Sequence, residues 1–133
     1  MLMPDGAARR ERMLVVEDLV SAYGRIRALK GVSLHVDRGE IVALVGANGA
    51  GKTTLLKAIA GVQPVAAGRI LLDGADVTRV PAHRRVGLGM ALVPEGRQVF
   101  GPLSVEDNLR LGAYRAAGPG ALAQDFAHVF EMF

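Results

Sequence analysis

Cysteine and tryptophan are absent from this 133-residue chain, aromatic residues make up only 5% of it, and lysine occurs three times. Without cysteine there is neither a disulfide framework nor a thiolate metal site, which fits a reducing compartment. No apolar run approaches the roughly 20 residues that a membrane-spanning helix needs. The N-terminal stretch Met1–Arg12 is polar and basic, without the apolar core of a secretory signal. Neither charge sign dominates: sixteen basic against thirteen acidic side chains leave a net +3. The arginines are scattered, with Arg84-Arg85 and the others read as solvated charges rather than a nucleic-acid-binding surface. His35, His83 and His128 share no metal-ligand spacing and are read as structural or surface residues. The expectation is a cytoplasmic protein with no nucleic-acid partner and no direct membrane insertion, so any membrane role needs another subunit as anchor.

What the chain does have is apolar content of 50%, enough for a core, and 17 glycines. Its length allows one domain or a piece of a larger one. The glycines concentrate meaning at Gly46-Ala-Asn-Gly-Ala-Gly-Lys-Thr53, which fits the phosphate-binding pattern G-x-x-x-x-G-K-[ST]. The apolar run Ile41–Val45 precedes it and the helix-favouring Thr54–Ala60 follows, giving the strand–loop–helix context the motif needs. Gly46, Asn48, Gly49, Ala50 and Gly51 would curl the backbone so that its N–H groups face phosphate oxygens. The positive end of the following helix adds to that attraction. Lys52 would reach the β- and γ-phosphates and the Thr53 hydroxyl would hold Mg²⁺. The reading at this level is a chain that binds a nucleoside triphosphate with Mg²⁺, or is cut from one that does.

Around the loop, strands are expected at Leu14–Val20, Ile26–Leu29, Val32–Val36, Ile41–Val45, Arg69–Leu72 and Met90–Val93. Ile41–Val45 is apolar throughout, as in a strand buried on both faces of a parallel sheet. Gly61 is placed to end the loop's helix, Asp73-Gly74 to turn the chain, and Pro81 to open a short helix that stops at Gly87 and Gly89. Ser104 matches an N-cap for a helix over Val105–Ala116. Gly118-Pro119-Gly120 breaks it, and Ala121–Phe133 resumes with Leu122, Phe126, Val129, Phe130 and Phe133 as an apolar stripe, read as core packing. That helix has no terminal cap, so the natural sequence is expected to continue.

Several stretches, in order, resemble the ATP-binding subunits of ABC transporters. They are Leu14–Gly24 with its Tyr-Gly ending, Ala28–Leu34, Gly39–Val42, the loop run Gly46–Leu55, Gly68–Ile70, Asp76–Thr78, Val93–Phe100 and Leu103–Leu109. The likeness spans residues 13 to 133. Within the family, the loop sequence, Pro81-Ala-His83 and Val-Pro-Glu-Gly-Arg look most like the LivF-type branch that serves branched-chain amino acids. Relatives serving urea or short amides would look similar. The resemblance implies an α/β fold: a P-loop core, an N-terminal antiparallel β layer and the start of a helical subdomain, truncated. It divides the chain into a loose tail (1–12), an ATP-binding core (13–100) and an incomplete helical subdomain (101–133).

The same resemblance implies that the nucleotide is ATP, with Tyr23 against adenine in an apolar stacking contact and Thr54 at the α-phosphate. It puts Glu95 beside Mg²⁺ or the attacking water, where most ABC ATPases have glutamine. A carboxylate there adds charge and cannot donate a hydrogen bond when ionised. Absent are a Leu-Ser-Gly-Gly-Gln-like signature, an apolar strand ending in Asp-Glu, and a later switch histidine. The expected whole is an ATPase dimer, homo- or heteromeric, joined to membrane-spanning subunits at the inner face of the membrane. The 133 residues by themselves are expected to bind nucleotide without hydrolysing it. A truncated or vestigial nucleotide-binding module is the alternative. A GTPase lacks its Asn-Lys-x-Asp segment here, and nothing after Pro94 suggests a kinase lid.

Overall fold

The computed structural model describes residues 11–96, 98–115 and 118–132, in two compact units that part between Leu92 and Val93. Residues 1–10 of the expected 1–12 tail, Arg97 of the Val-Pro-Glu-Gly-Arg run, Ala116 and the stripe's Phe133 lie outside the described residues. Arg12 already belongs to the first strand, and the helix expected over Val105–Ala116 ends at Gly112. In the first unit, β1 (Arg12–Tyr23) and β2 (Ile26–Asp37) form a long antiparallel hairpin. Strands β3 (Ala67–Leu72) and β4 (Ala75–Asp76) add on the other side of β1, giving the order β2-β1-β3-β4. This sheet is antiparallel throughout. Ile26–Leu29 and Val32–Val36, expected as separate strands, are one strand, because Gly31 at φ 92° absorbs the irregularity between them.

Strand β1 buries alternate residues, but its alternation slips once. Val16 faces inward, and the next inward residues are Leu19 and Ser21. The ladders to β2 and β3 both shift register there, and Asp18 takes φ 45°. One extra residue in a bulge restores the apolar face to the core side. The Ser33 hydroxyl fixes the bulge, accepting from the Asp18 N–H at 2.9 Å and donating to its carboxylate at 3.2 Å. Gly68 crosses directly beneath, where a Cβ would overlap the carbonyls of Glu17 and Asp18. The β3–β4 turn, Asp73-Gly74, has φ of 47° and 78°. Two positive φ values give the twist that a two-residue hairpin needs.

Helix α1 (Lys52–Ile59) packs Leu55 and Ala58, three positions apart and so on one face, into a core formed with Val16, Leu19, Leu29, Ile70 and Val77. Its C-terminal end is accounted for bond by bond. Gly61 at φ 78° sends its N–H to Ala58 O, and Val62 sends its N–H to Lys57 O, the paired bonds of a Schellman ending. Arg85, from the short helix α2 (Ala82–Val86), meets Ile59 O and adds a second donor to Ala58 O. Its guanidinium donates to Ala58 O (3.1 Å) and Ile59 O (2.5 Å) of α1, and to Thr78 O (3.0 Å) and Val80 O (2.7 Å). Arg85 is therefore not the solvated charge expected of the Arg84-Arg85 pair: it is 2% exposed, while Arg84 stays outside. Burial lowers its pKa from the ordinary arginine value, and four carbonyl dipoles, two at the negative end of a helix, face the charge.

Two expected strands carry no ladder. Ile41–Val45, expected to be buried on both faces, forms no strand: Ile41 is 97% and Val45 94% exposed, and of this run only Leu44 leans on the core cluster. A strand needs hydrogen-bonded neighbours beside it, and no described residue pairs with this run. Met90 packs against the same cluster, yet the chain from Met90 to Leu92 is likewise outside the sheet.

The second unit is helical. In α3 (Val105–Gly112), the Ser104 hydroxyl accepts from the Asp107 N–H at 3.1 Å, the expected N-cap. Asn108 clasps the preceding loop, accepting from the Phe100 N–H (2.9 Å) and donating to Phe100 O (3.1 Å) and Ser104 O (2.9 Å). Helix α4 (Pro119–Met132) starts at the proline of the expected breaker. Its stripe is only partly covered. Leu122, Phe126 and Val129 are half-buried, with Arg110 stacked 5.4 Å over the Phe126 ring, and Phe130 is exposed.

Asp76 supports the β3–β4 corner: its carboxylate accepts from the Thr78 hydroxyl (2.6 Å) and N–H (2.9 Å). Those bonds, the hydroxyl first, hold its pKa below the ordinary value, with Arg69 acting weakly in the same direction. The stabilisation is complete above the unfolded aspartate pKa of about 4 and is lost as pH falls through the depressed folded value. Asp76→Asn is expected to unfold at lower urea than the parent at pH 7, with the gap closing as pH drops below about 4. Arg85→Ala is expected to cost about 3 kcal/mol in urea unfolding, since it leaves buried carbonyls unpaired.

Candidate functional site

The loop Gly46–Gly51 enters α1 with no side-chain cap: the N-cap residue is Gly51, at φ 96°. The positive end of the helix is thus presented to the loop rather than satisfied by a hydroxyl or carboxylate. Gly49 also has positive φ, 82°, and Ala50 N–H closes a turn on Ala47 O at 3.1 Å. Positive φ at two glycines wraps the backbone into a concave run of N–H groups, a shape that receives anions. Gly51 is fixed for a second reason. A Cβ there would stand 2.8 Å from Ala28 O and 3.1 Å from a Leu29 methyl, so the loop sits directly on β2.

Lys52, the first residue of α1, folds back across the loop. Its Nζ donates to Gly46 O at 2.6 Å and Ala47 O at 2.7 Å, which holds the ammonium over the concavity. A phosphate entering the loop would meet this charge at once, and the lysine would exchange carbonyl partners for phosphate oxygens. Thr53 is exposed on the same first turn, whereas Thr54 is buried against the core. Tyr23 ends β1 with its side chain about half exposed, open to a stacking partner. All of these residues belong to the first unit. Glu95 belongs to the second, in a bend with Gly96 at φ 84°. Among the described residues, no cluster of three or more His, Cys, Asp or Glu could hold a metal ion by itself. A cation here would depend on Thr53 together with phosphate oxygens, as is usual for Mg²⁺ in nucleotide sites.

Arg85, Ala28 and Asn108 are contributors that sequence reading missed. Arg85 anchors the far end of α1, Ala28 supports Gly51, and Asn108 shapes the loop after Phe100. Nothing in the local sequence of Ala28 marks it. Arg85 had a signal in hindsight: Gly61 leaves room beside α1, and a Cβ there would press on the guanidinium.

These features define a phosphate-binding loop of the nucleotide-binding α/β class, resting on an antiparallel layer. The chain belongs to the ABC transporter family, whose model matches residues 29–133. It is 44% identical over 102 residues to the high-affinity branched-chain amino acid transport ATP-binding protein BraG of Pseudomonas aeruginosa, covering 77% of this chain and 44% of that protein. A probable branched-chain amino acid transport ATP-binding protein LivF of Archaeoglobus fulgidus is 40% identical over 102 residues, covering 77% and 43%. A putative 2-aminoethylphosphonate import ATP-binding protein PhnT of Salmonella typhimurium is 40% identical over 112 residues, covering 84% and 30%. Among solved structures, the ATP-binding subunit of an ABC transporter superposes with a TM-score of 0.70 at 36% identity, over 81% of this chain and 45% of that one. An ATP-binding cassette in its ADP conformation gives 0.57 at 32% identity, over 59% and 31%. The chain thus spans less than half the length of these relatives.

Gly51→Ala is expected to cost about 1–3 kcal/mol from its positive φ alone, with the crowding against Ala28 O added. A melting point lowered by several degrees, with loss of nucleotide binding in a fluorescent-ATP titration, is the expected pair of results.

Proposed function

We propose that this chain is the ATP-binding portion of an ABC transporter subunit. The carrying observation is Lys52, held by two loop carbonyls over a glycine-shaped concavity at the uncapped end of α1. In this reading the N–H groups of Gly46, Asn48, Gly49, Ala50 and Gly51 cradle the phosphates, and Lys52 pairs with the β- and γ-phosphate oxygens. Thr53 presents its hydroxyl to Mg²⁺, with Glu95 as a further acidic contact. Thr54 meets the α-phosphate, and the Tyr23 ring covers the adenine face. Mg²⁺, when bound, offsets charge on the phosphates. The chain's own residues bind and orient, while attack by water needs a polarising carboxylate and a second subunit's signature segment that this sequence does not contain.

The membrane-spanning partner would engage the second unit. There a cavity of about 640 Å³ is lined by Val99, Phe100, Leu103, Val105 and Leu111, all substantially exposed, with Asn108 holding its floor. An apolar groove of that kind suits a short amphipathic helix. Branched-chain amino acids are the proposed solute, from the names of the BraG and LivF relatives. The PhnT relative makes a phosphonate the competing solute. Uptake of labelled leucine and of labelled 2-aminoethylphosphonate, in cells with and without the gene, separates the two.

Lys52→Ala is expected to weaken Mg-ATP binding about 10- to 100-fold, the worth of one charge-assisted hydrogen-bonding group. Calorimetric titration of the purified chain checks this. Binding without steady turnover is the expected behaviour. Steady hydrolysis by the chain alone, abolished by Lys52→Ala, would overturn the division of labour proposed here.

A further inference from the structure

A second concave site lies in the first unit, away from the loop. It is a cleft of about 670 Å³ between the β3–β4 corner and α2, and no residue of Gly46–Thr54 lines it. Three guanidinium groups border it, from Arg69, Arg79 and Arg84, against a single carboxylate, Asp76. That carboxylate is engaged by Thr78. Arg69 is engaged too, forked onto Glu17 at 2.7 and 3.1 Å. Among the described residues no ion pair involves Arg79 or Arg84. The cleft therefore keeps two uncommitted cations beside an apolar wall that includes Leu88, which is 52% exposed.

We propose that this cleft docks an acidic, partly apolar polypeptide segment of a partner protein, with Arg79 and Arg84 gripping its carboxylates and Leu88 covering its apolar side chains. Charge complementarity selects the sign of the partner, and guanidinium forks suit carboxylates. The mixed lining selects its class. A free phosphate would leave the apolar wall and most of the volume unused, and a nucleotide would find no aromatic ring among the lining residues. A flat anionic membrane would not fill a concave cleft. The proposal is independent of nucleotide binding.

The absence of cysteine from the whole sequence makes the test direct. Leu88→Cys places a unique thiol at the cleft for an environment-sensitive fluorophore on the intact chain. The probe is a nine-residue peptide of repeated Glu-Leu-Glu, with a Lys-Leu-Lys peptide as control. The acidic peptide is expected to shift the emission saturably, and salt to weaken the effect. The pair Arg79→Glu and Arg84→Glu is expected to reduce affinity about tenfold or more. Arg27→Glu, an exposed reversal on β2, is expected to leave it unchanged, and Mg-ATP affinity should stay the same in every variant. Should the double reversal unfold the chain, Arg79→Gln with Arg84→Gln asks the same question without adding like charge. Equal loss from Arg27→Glu would overturn the proposal, as would no saturable shift. So would competition by millimolar inorganic phosphate or by phosphatidylserine vesicles that displace the peptide.

Discussion

The buried guanidinium of Arg85 is the contact on which the first unit turns. Helix α1 starts in the phosphate-binding loop and ends against this side chain, which satisfies Ile59 O and adds a second donor to Ala58 O. The same group holds Thr78 O and Val80 O, so the β3–β4 corner and α2 are set relative to α1 by one residue. At the other end, Gly51 sits on the backbone of β2. The helix is pinned at both ends to the antiparallel layer, and the ammonium of Lys52 is thereby aimed at the loop's interior. A loop of glycines has little shape of its own, and the contacts at its edges supply it.

The two units differ in how they are held. The first has an apolar core with a bulge that corrects the register of β1, so burial and hydrogen bonding agree. The second has no buried side chain in α3 and relies on local devices: the Ser104 cap, the Asn108 clasp and the Arg110–Phe126 stack. Segments held mainly by exposed local bonds open at low free energy. A helical unit with an open apolar groove and little core suits a docking surface that adjusts to a partner.

Sequence alone made the loop, its helix, the hairpin strands, the Asp73-Gly74 turn and the Ser104 cap legible, because each rests on local chemistry: positive φ, a capping hydroxyl, alternation of apolar residues. The Asp18 bulge was not legible. It arises from a contest between two ladders and the core that no single window of sequence contains. Arg85 was misread for a similar reason, since whether an arginine is solvated or buried depends on carbonyls that arrive from a helix some 26 residues away. The run Ile41–Val45 was misread as a strand buried on both faces: it lies outside the sheet, with Ile41 and Val45 exposed. Its pairing was not legible, because a ladder depends on neighbours and not on the strand's own composition.

The central claim is that Gly46–Thr54 is where the chain meets nucleotide. Amide hydrogen exchange, read residue by residue with and without Mg-ATP, tests it most directly. The account predicts new protection across Gly46–Thr54, with the Arg85-anchored end of α1 already protected in both states. Protection that appears elsewhere and leaves the loop unchanged would contradict it.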